Sequence, residues 1–152
     1  MKETTVRFIV KTQYVKDLSF EGPSSALKIL QCKSSPTADI KTDVAISKEE
    51  GMDNTYEVVL FFRVKSSIDK EDLFLVDLAY AGVFSFEEME QKKMENKEEF
   101  LLFTQGAALL FPFARHIIAS TISSAGFPPV VISPINFSDL YLLKKSDNGT
   151  PS

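Results

Sequence analysis

Apolar and polar residues alternate over the first part of the chain, with a period of two that is typical of a half-buried β-strand. From Val6 to Glu21 the even positions are mostly apolar and the odd positions mostly polar or charged. The alternation loses its phase at Val15 and Lys16, which indicates a β-bulge, because one extra residue shifts every later side chain to the other face. The turn-forming stretch "EGPSS" predicts the end of this strand.

Three further segments carry strand patterns. Residues 38–46 alternate as the first strand does, residues 56–64 are apolar on both faces, and residues 73–86, "LFLVDLAYAGVFSF", form a longer apolar run. A strand that is apolar on both faces is typical of the middle of a sheet, so 56–64 is predicted to be central. The connecting stretches "EEGMDN" and "SSIDKED" are short, which predicts an antiparallel sheet.

The segment "EFLLFTQGAALLFPFARHIIASTISSAG" (99–126) predicts a long helix, kinked or restarted at Pro112 and ended by Gly126. One apolar stripe at helical spacing suits packing on the sheet, and it consists of Ala114, Ile117, Ile118, Thr121, Ile122 and Ala125. The opposite face is small and uncharged, whereas a solvated face normally carries Lys or Glu. We therefore expect a partner subunit to cover it, with an oligomer interface at Ala119, Ser120 and Ser123.

The remaining segments complete one domain. The charged stretch 87–99 predicts a solvated crossover between sheet and helix. After the helix, "FPPVVISPINF" (127–137) predicts an extended apolar loop stiffened by proline, and Ser138 is predicted to N-cap a short last helix. This order predicts an α+β domain, in which a four-stranded antiparallel sheet carries a long kinked helix and a short C-terminal helix. The domain is predicted to span 1–145, followed by a flexible tail at 146–152.

Composition narrows the class of protein. A length of 152 residues fits one domain, and a net charge of −4 argues against nucleic acid as a partner, because phosphate contacts need a basic surface. Prolines from Pro112 onward interrupt the apolar segment before the roughly 20 residues of a membrane span, so no membrane insertion is expected. The absence of a secretory pattern in "MKETTVRFIVKTQ", and a single cysteine, indicate a cytoplasmic protein.

Candidate chemistry is sparse. His116 and Cys32 are the only histidine and the only cysteine, and a pair of this kind can act as base and nucleophile. Cys32, however, lies in a predicted loop without a catalytic signature, and one histidine with one cysteine does not supply a metal site. No glycine-rich phosphate loop is present either. We therefore predict no enzyme, no metal site and no cofactor.

Three stretches in order resemble the SecB family of protein-export chaperones. They are "TQYVKDLSFEGPS" (12–24), "YAGVFSF" (80–86) and "LLFPFARHIIASTISSAGFPPVVISPINFSDLY" (109–141). The resemblance implies a four-stranded sheet with two helices, assembled as a homotetramer that is a dimer of dimers. It also implies an ATP-independent cytosolic chaperone that binds unfolded precursor proteins and delivers them to the translocase motor SecA.

The same resemblance implies two surfaces. Client-binding grooves fall on the second strand and on the loop after the long helix, at Ile40, Thr42, Val44, Phe127, Val130, Ile132, Ile135 and Phe137. SecA binding falls on the outer sheet face, where Asp17 and Glu21 match the family. Two features of this sequence depart from the family pattern. Lys70 lies near the position where another acid is expected, and the last helix ends in Lys144 and Lys145.

Alternative interpretations stay open. One is a SecB-like chaperone dedicated to a single client, such as an antitoxin. Another, of a different class, is a small-ligand carrier or an enzyme that uses the Phe-rich groove; it predicts a closed pocket, whereas a chaperone predicts long open grooves. A structural alternative for Phe127 and Phe137 is that they only fill the core beneath their loop.

Overall fold

The structure is a computed structural model that describes residues 8–32, 37–68, 70–87 and 98–149. Four strands come first, with one short helix among them: β1 (Phe8–Glu21), α1 (Ala26–Gln31), β2 (Ala38–Lys48), β3 (Thr55–Ile68) and β4 (Glu71–Phe86). Helical segments follow: α2 (Glu98–Leu101), a π-helical segment (Leu102–Gly106), α3 (Ala107–Ser124) and α4 (Phe137–Gly149).

The strands form one antiparallel sheet in the order β1-β4-β3-β2. This confirms the predicted four-stranded sheet and the central place of the strand at 56–64, which is β3. β4 lies beside it in the middle, and its Ala79 and Ala81 are buried on the face away from the helices. β1 and β2 are therefore the two edges of the sheet.

β1 contains two register shifts, one between Val10 and Thr12 and one between Val15 and Asp17. The second confirms the bulge that the sequence predicts, while the first is not visible in the pattern. Together the two shifts restore the original phase, because each moves the side chains by one position. Between them the phase is inverted, so Tyr14 faces away from the helices although the even positions before it face them.

The long helix is continuous from Glu98 to Ser124, and Pro112 lies inside α3. Its departure from α-helical geometry is the π-helical segment, which ends six residues before the proline at which the sequence places a kink or restart. The helix ends as predicted at Gly126, whose φ of 100° suits glycine. There the N–H of Phe127 donates to the carbonyl of Ile122, a pattern typical of a Schellman cap.

This helix is long and apolar enough to cross a membrane by length and composition alone, so Pro112 does not interrupt it as the sequence analysis expects. Half of its most apolar stretch is buried within the domain. The buried face of α3 includes Leu110, Ala114, Ile118 and Ile122, which pack into the core on one side of the sheet. The apolar composition is thus that of a core helix.

The long helix packs closely on the sheet at Gly82 of β4. A Cβ atom at that position would lie 2.8 Å from the Cδ2 atom of Leu110 and 2.8 Å from the ring of Phe84, so at least one of these side chains would have to move. The absence of a side chain at Gly82 therefore leaves room for Leu110 of α3 and for Phe84.

Three local details differ from the sequence analysis. α1 is an additional short helix, and Cys32 follows it directly instead of lying in a longer loop. Ser138 lies inside α4, and the Asn136 Oδ1 atom accepts the N–H of Asp139 at 3.1 Å, so Asn136 is the capping residue. α4 continues to Gly149, four residues past the predicted end of the domain; the predicted crossover falls mostly outside the described residues.

Candidate functional site

The predicted client residues of β2 lie on the helix-facing side of an edge strand. Ile40 is 36% exposed, Thr42 is half-buried and Val44 is buried in the core. Burial increases along the strand because its C-terminal half is covered by the π-helical segment and α4. Among the predicted client residues of β2, Ile40 and Thr42 are therefore the two that an incoming molecule can reach.

The predicted client residues of the loop are more deeply placed than the sequence analysis expects. Phe127 lies with its ring 5.1 Å from that of Phe74, and Phe137 lies 6.1 Å from the ring of Phe111. Four of the five side chains belong to the buried core, and only Ile135 is half-buried; the buried ones are Phe127, Val130, Ile132 and Phe137. In the isolated chain these rings fill the core beneath their loop, as the structural alternative states.

A row of aromatic rings connects β2 with the end of this loop. Thr42 of β2 is paired with Phe62 of β3, whose ring lies 6.0 Å from that of Phe111 on α3. The ring of Phe111 in turn contacts that of Phe137. The two predicted client segments thus border one shared apolar floor, although they belong to distant parts of the sequence.

Sequence reasoning missed the most exposed apolar residue of the loop. Val131 is 73% exposed, between the buried Val130 and Ile132. The signal was available, because three successive apolar residues in an extended segment cannot all face the core. Val131 and Ile135 are the apolar groups that this loop presents at its surface.

The predicted SecA residues lie on the outer face of the sheet, away from the helices. Asp17 is paired with Ala79 and Glu21 with Leu75, and both carboxylates are exposed. Ser19, between them, is paired with Asp77 of β4, which adds a third acid to the same face. Its strand position could have revealed it, since Asp77 is an outward residue in an otherwise apolar run.

Asp77 is already engaged by a cation. Arg63 of β3 donates from Nε and Nη2 to its two carboxylate oxygens at 2.8 and 3.1 Å, and this pairing raises the pKa of Arg63. Lys70, by contrast, lies in the turn between β3 and β4 with a φ of 68°. Arg63, rather than Lys70, is therefore the cation that pairs with Asp77.

A buried carboxylate joins two strands of the outer face across the strand that lies between them. Glu57 of β3 accepts from the Tyr14 hydroxyl at 2.9 Å and from Lys16 Nζ at 2.6 Å, across the small residues Ala79 and Ala81 of β4. Burial by itself raises the pKa of Glu57, but the bonds from Lys16 and Tyr14 outweigh it, so this pKa lies below its ordinary value. Glu57 is thus held as a charged group that fastens β1 to β3.

The same face carries an open depression with a volume of about 720 Å³. It is open to solvent, has Val59, Phe61 and Ala79 on its floor, and is bordered by Asp17 and Arg63. Because this depression is open, it is not the closed pocket that a small-ligand carrier requires.

The uncharged face of α3 is at the surface, as the sequence predicts. Ser120 and Ser123 are exposed and Ala119 is half-buried. His116 lies on this face with Nε2 at 3.4 Å from the Ser120 hydroxyl, while Cys32 packs against the core at the end of α1. Among the described residues no group of three or more His, Cys, Asp or Glu side chains is arranged to hold a metal ion.

Comparison with known proteins identifies the family. The family model described as preprotein translocase subunit SecB matches residues 1–148. The chain is similar to the protein-export protein SecB of Rhodospirillum centenum, with 33% identity over 97% of this chain and 87% of that one. It is also similar to that of Bartonella bacilliformis, with 41% identity over 88% and 80%.

A solved structure supports the fold. The SecB-like chaperone of Mycobacterium tuberculosis, solved with a peptide from an antitoxin, has a TM-score of 0.67 and 14% identity, and the match covers 85% of this chain and 91% of that one. At this identity the likeness concerns the fold alone. Taken with the family model and the curated relatives, it leads to one conclusion: the chain belongs to the SecB family of protein-export chaperones.

Proposed function

We propose that this protein is an ATP-independent cytoplasmic chaperone that binds unfolded precursor proteins, keeps them competent for translocation and delivers them to SecA. Membership of the SecB family over residues 1–148 is the observation that carries the proposal. The protein acts by binding rather than by catalysis, in keeping with a family of chaperones.

The client surface that we propose is the open border between β2 and the loop after the long helix. Ile40 and Thr42 supply one side, and Val131 and Ile135 supply the other, above the aromatic floor at Phe62. A surface of this kind accepts many sequences, because apolar contacts and main-chain hydrogen bonds do not depend on side-chain identity. The buried members of the predicted set, such as Phe127 and Phe137, shape this floor from beneath.

The SecA surface that we propose is the acidic part of the outer sheet face. Asp17, Glu21 and Asp77 lie there, on the side of the sheet opposite to the helices. Exposed charges contribute little to folding but guide a basic partner through steering and complementary contact. The two proposed surfaces occupy different faces, so client and SecA can bind together.

We also propose a homotetramer, a dimer of dimers, with α3 in its interior. The exposed side of α3 is free of acidic residues from Ala107 to Ser124 and offers Ala119, Ser120 and Ser123 for close approach. Small side chains at a helix surface allow another helix to pack near it. Two sheets can pair only through a free edge strand. Lys144 of α4 bonds to the main chain of β2, whereas no described helix residue bonds to the main chain of β1, so β1 is the edge that we propose for sheet pairing.

The alternative of a chaperone dedicated to one client has a specific observation in its favour. The SecB-like protein of Mycobacterium tuberculosis is bound to an antitoxin peptide in its solved structure. Its identity to this chain is 14%, whereas curated export proteins reach 41%. The export role is therefore the better supported of the two.

Titration calorimetry against a precursor held unfolded in dilute denaturant, the same protein in its native state, and SecA tests the proposal. We expect binding to the unfolded form and to SecA and none to the native form. The double variant Asp17→Lys with Glu21→Lys should lose at least about tenfold in SecA affinity while precursor binding persists, because it reverses two partner-facing charges.

A matched control keeps the total charge change constant. Asp39→Lys with Glu50→Lys makes the same charge change at exposed positions, Asp39 on β2 at the opposite edge and Glu50 beyond the end of β2, and should retain SecA binding. Binding of the native protein as strongly as the unfolded one would refute the chaperone role. Equal loss in both double variants would show that net charge, rather than this surface, governs SecA affinity.

A further inference from the structure

The first strand turns two oppositely charged neighbours to the same side of the sheet. Lys16 is the extra residue of the bulge between Val15 and Asp17, and it has no partner on β4. Successive side chains of a regular strand point to opposite faces, whereas a bulge allows two of them to share one face. Lys16 and Asp17 both border the open depression on the outer face. A lysine therefore lies directly beside one of the acids that we assign to SecA.

The ammonium group of this lysine is engaged by a buried carboxylate. Lys16 Nζ donates to Glu57 Oε1 at 2.6 Å, and the Tyr14 hydroxyl donates to the same oxygen at 2.9 Å. The bond to Glu57 raises the pKa of Lys16, and the negative charge of Glu49 acts in the same direction. Among the described residues, by contrast, the Asp17 carboxylate is part of no ion pair.

The strand register places Glu57 well away from Asp17. Glu57 is paired with Val83 of β4, whereas Asp17 is paired with Ala79, four residues earlier on that strand. At about 3.3 Å per residue, these two levels are roughly 13 Å apart along the sheet. A Lys16 side chain that bonds to Glu57 therefore leans away from Asp17.

We propose that Glu57 is a positioning residue for the acidic outer surface: it holds the Lys16 ammonium away from Asp17 and so leaves the Asp17 carboxylate available to a basic partner. The inference rests on the proposed function, in which that partner is SecA. It adds a buried residue of β3 to those on which SecA binding depends. Without the charge of Glu57, the long and flexible lysine side chain turns to the exposed acid beside it.

The variant Glu57→Gln tests this role, because glutamine keeps the size of the side chain and an oxygen that accepts from Tyr14 but removes the charge. By titration calorimetry at low salt, SecA affinity should fall about three- to tenfold, since a cation then occupies one acid of the surface. Glu50→Gln makes the same charge change at an exposed position beyond the end of β2. This control should change the affinity by less than about twofold. Unchanged SecA affinity in Glu57→Gln overturns the proposal.

A double variant separates the released charge from the lost bond. Glu57→Gln with Lys16→Met removes both members of the ion pair, so the net charge equals that of the wild type although the bond between β1 and β3 is lost. If Glu57 acts by holding Lys16, the double variant regains the wild-type SecA affinity to within about twofold. A double variant that binds as weakly as Glu57→Gln overturns the proposal, because the lost bond rather than the released lysine is then the cause.

Two measurements do not depend on SecA. In a crystal structure of Glu57→Gln, Lys16 Nζ should lie within about 4 Å of the Asp17 carboxylate, the distance of an ion pair. A lysine that stays on the side chain at position 57 overturns the proposal. If this variant does not fold, NMR of the wild type should show a less mobile ammonium group at Lys16 than at Lys41, an exposed lysine that borders the same depression. Equal mobility also overturns it.

These measurements keep the two possible failures apart. If wild-type protein does not bind SecA, the proposed function fails, and the crystal structure of Glu57→Gln still decides where Lys16 lies. If SecA binds the wild type and Glu57→Gln equally well, the inference about Glu57 fails alone.

Discussion

Arg63 and Asp77 form a two-point ion pair on the outer sheet face, with Nε and Nη2 at 2.8 and 3.1 Å from the two carboxylate oxygens. The side chain of Arg63 is 57% exposed, so the pair lies at the surface that we assign to SecA. A basic partner that approaches Asp77 therefore competes with a cation of the protein itself.

Replacing Arg63 by Ala should strengthen SecA binding, because Asp77 then joins Asp17 and Glu21 as a free acid. The gain should be modest, roughly up to fivefold, since exposed ion pairs are weak. It should grow at low salt and vanish at high salt. Lys28→Ala, which removes a cation of α1 paired at 2.8 Å with Glu71, is the control in titration calorimetry. Weaker binding in Arg63→Ala would mean that Arg63 contacts SecA directly.

Phe137→Ala should destabilise the fold, because its ring is only 5% exposed and packs against Phe111. Loss of a buried phenylalanine ring costs about 3–5 kcal/mol in the free energy of unfolding. Val131→Ser, in the same loop, should change stability by less than about 0.5 kcal/mol, because Val131 is exposed. Urea unfolding measures both variants.

The affinity of the same two variants for an unfolded precursor shows which side chain contacts the client and which only supports the surface beneath it. Val131→Ser should weaken binding of an unfolded precursor several-fold without loss of fold. A Phe137→Ala variant that keeps its stability but loses client binding would show that the ring leaves the core when a client binds. That result would restore the direct contact that the sequence analysis expects.

Ala119→Glu should break the proposed tetramer. A charge without a partner in a closely packed helix interface is costly, and we expect the dissociation constant to rise by about 100-fold or more. Ala119→Ser keeps the position small and uncharged and should leave the assembly intact. Analytical ultracentrifugation over a range of concentrations gives the result. Unchanged assembly in Ala119→Glu would place the interface on another surface.

The ionised carboxylate of Glu57 should contribute to the free energy of unfolding in a way that depends on pH. Its folded-state pKa lies below the ordinary 4.5, because the bonds from Lys16 and Tyr14 outweigh the effect of burial. A carboxyl whose pKa is lowered by folding stabilises the fold above its unfolded pKa, and this stabilisation is lost as the pH falls through the folded value. The stability gap between wild type and Glu57→Gln should therefore be full at pH 7 and shrink below pH 4.5.

Urea unfolding across that pH range, with the exposed Glu50→Gln as control, measures the gap. Glu50→Gln should follow the wild type at every pH. A gap that stays constant down to pH 3 would mean that Glu57 acts through its shape and hydrogen bonds alone, with no contribution from its charge.

The order of elements follows from the sequence because it depends on local patterns. Period-two alternation gives the strands, the apolar stripe at Ala114, Ile118 and Ile122 gives the helix, and Gly126 ends it where a positive φ is needed. The SecB resemblance likewise rests on stretches of neighbouring residues, and the family model confirms it. The outward position of Asp17 and Glu21 agrees with simple alternation only because the bulge between Val10 and Thr12, which the pattern does not show, cancels the phase shift of the predicted one.

Only the tertiary structure determines which side chains of different elements contact each other. Sequence alternation marks Asp77 as outward but cannot show that Arg63 reaches it, since the two residues belong to different strands. The burial of Phe127 and Phe137 depends on Phe74 and Phe111, to which no local pattern connects them. Lys144 bonds to the Asp43 carboxylate and to the Val44 carbonyl oxygen, which lie 101 and 100 positions before it in the chain. Local periodicity tells which face of an element is apolar; only the packing of elements determines which groups meet there, because those contacts join segments that are independent in sequence.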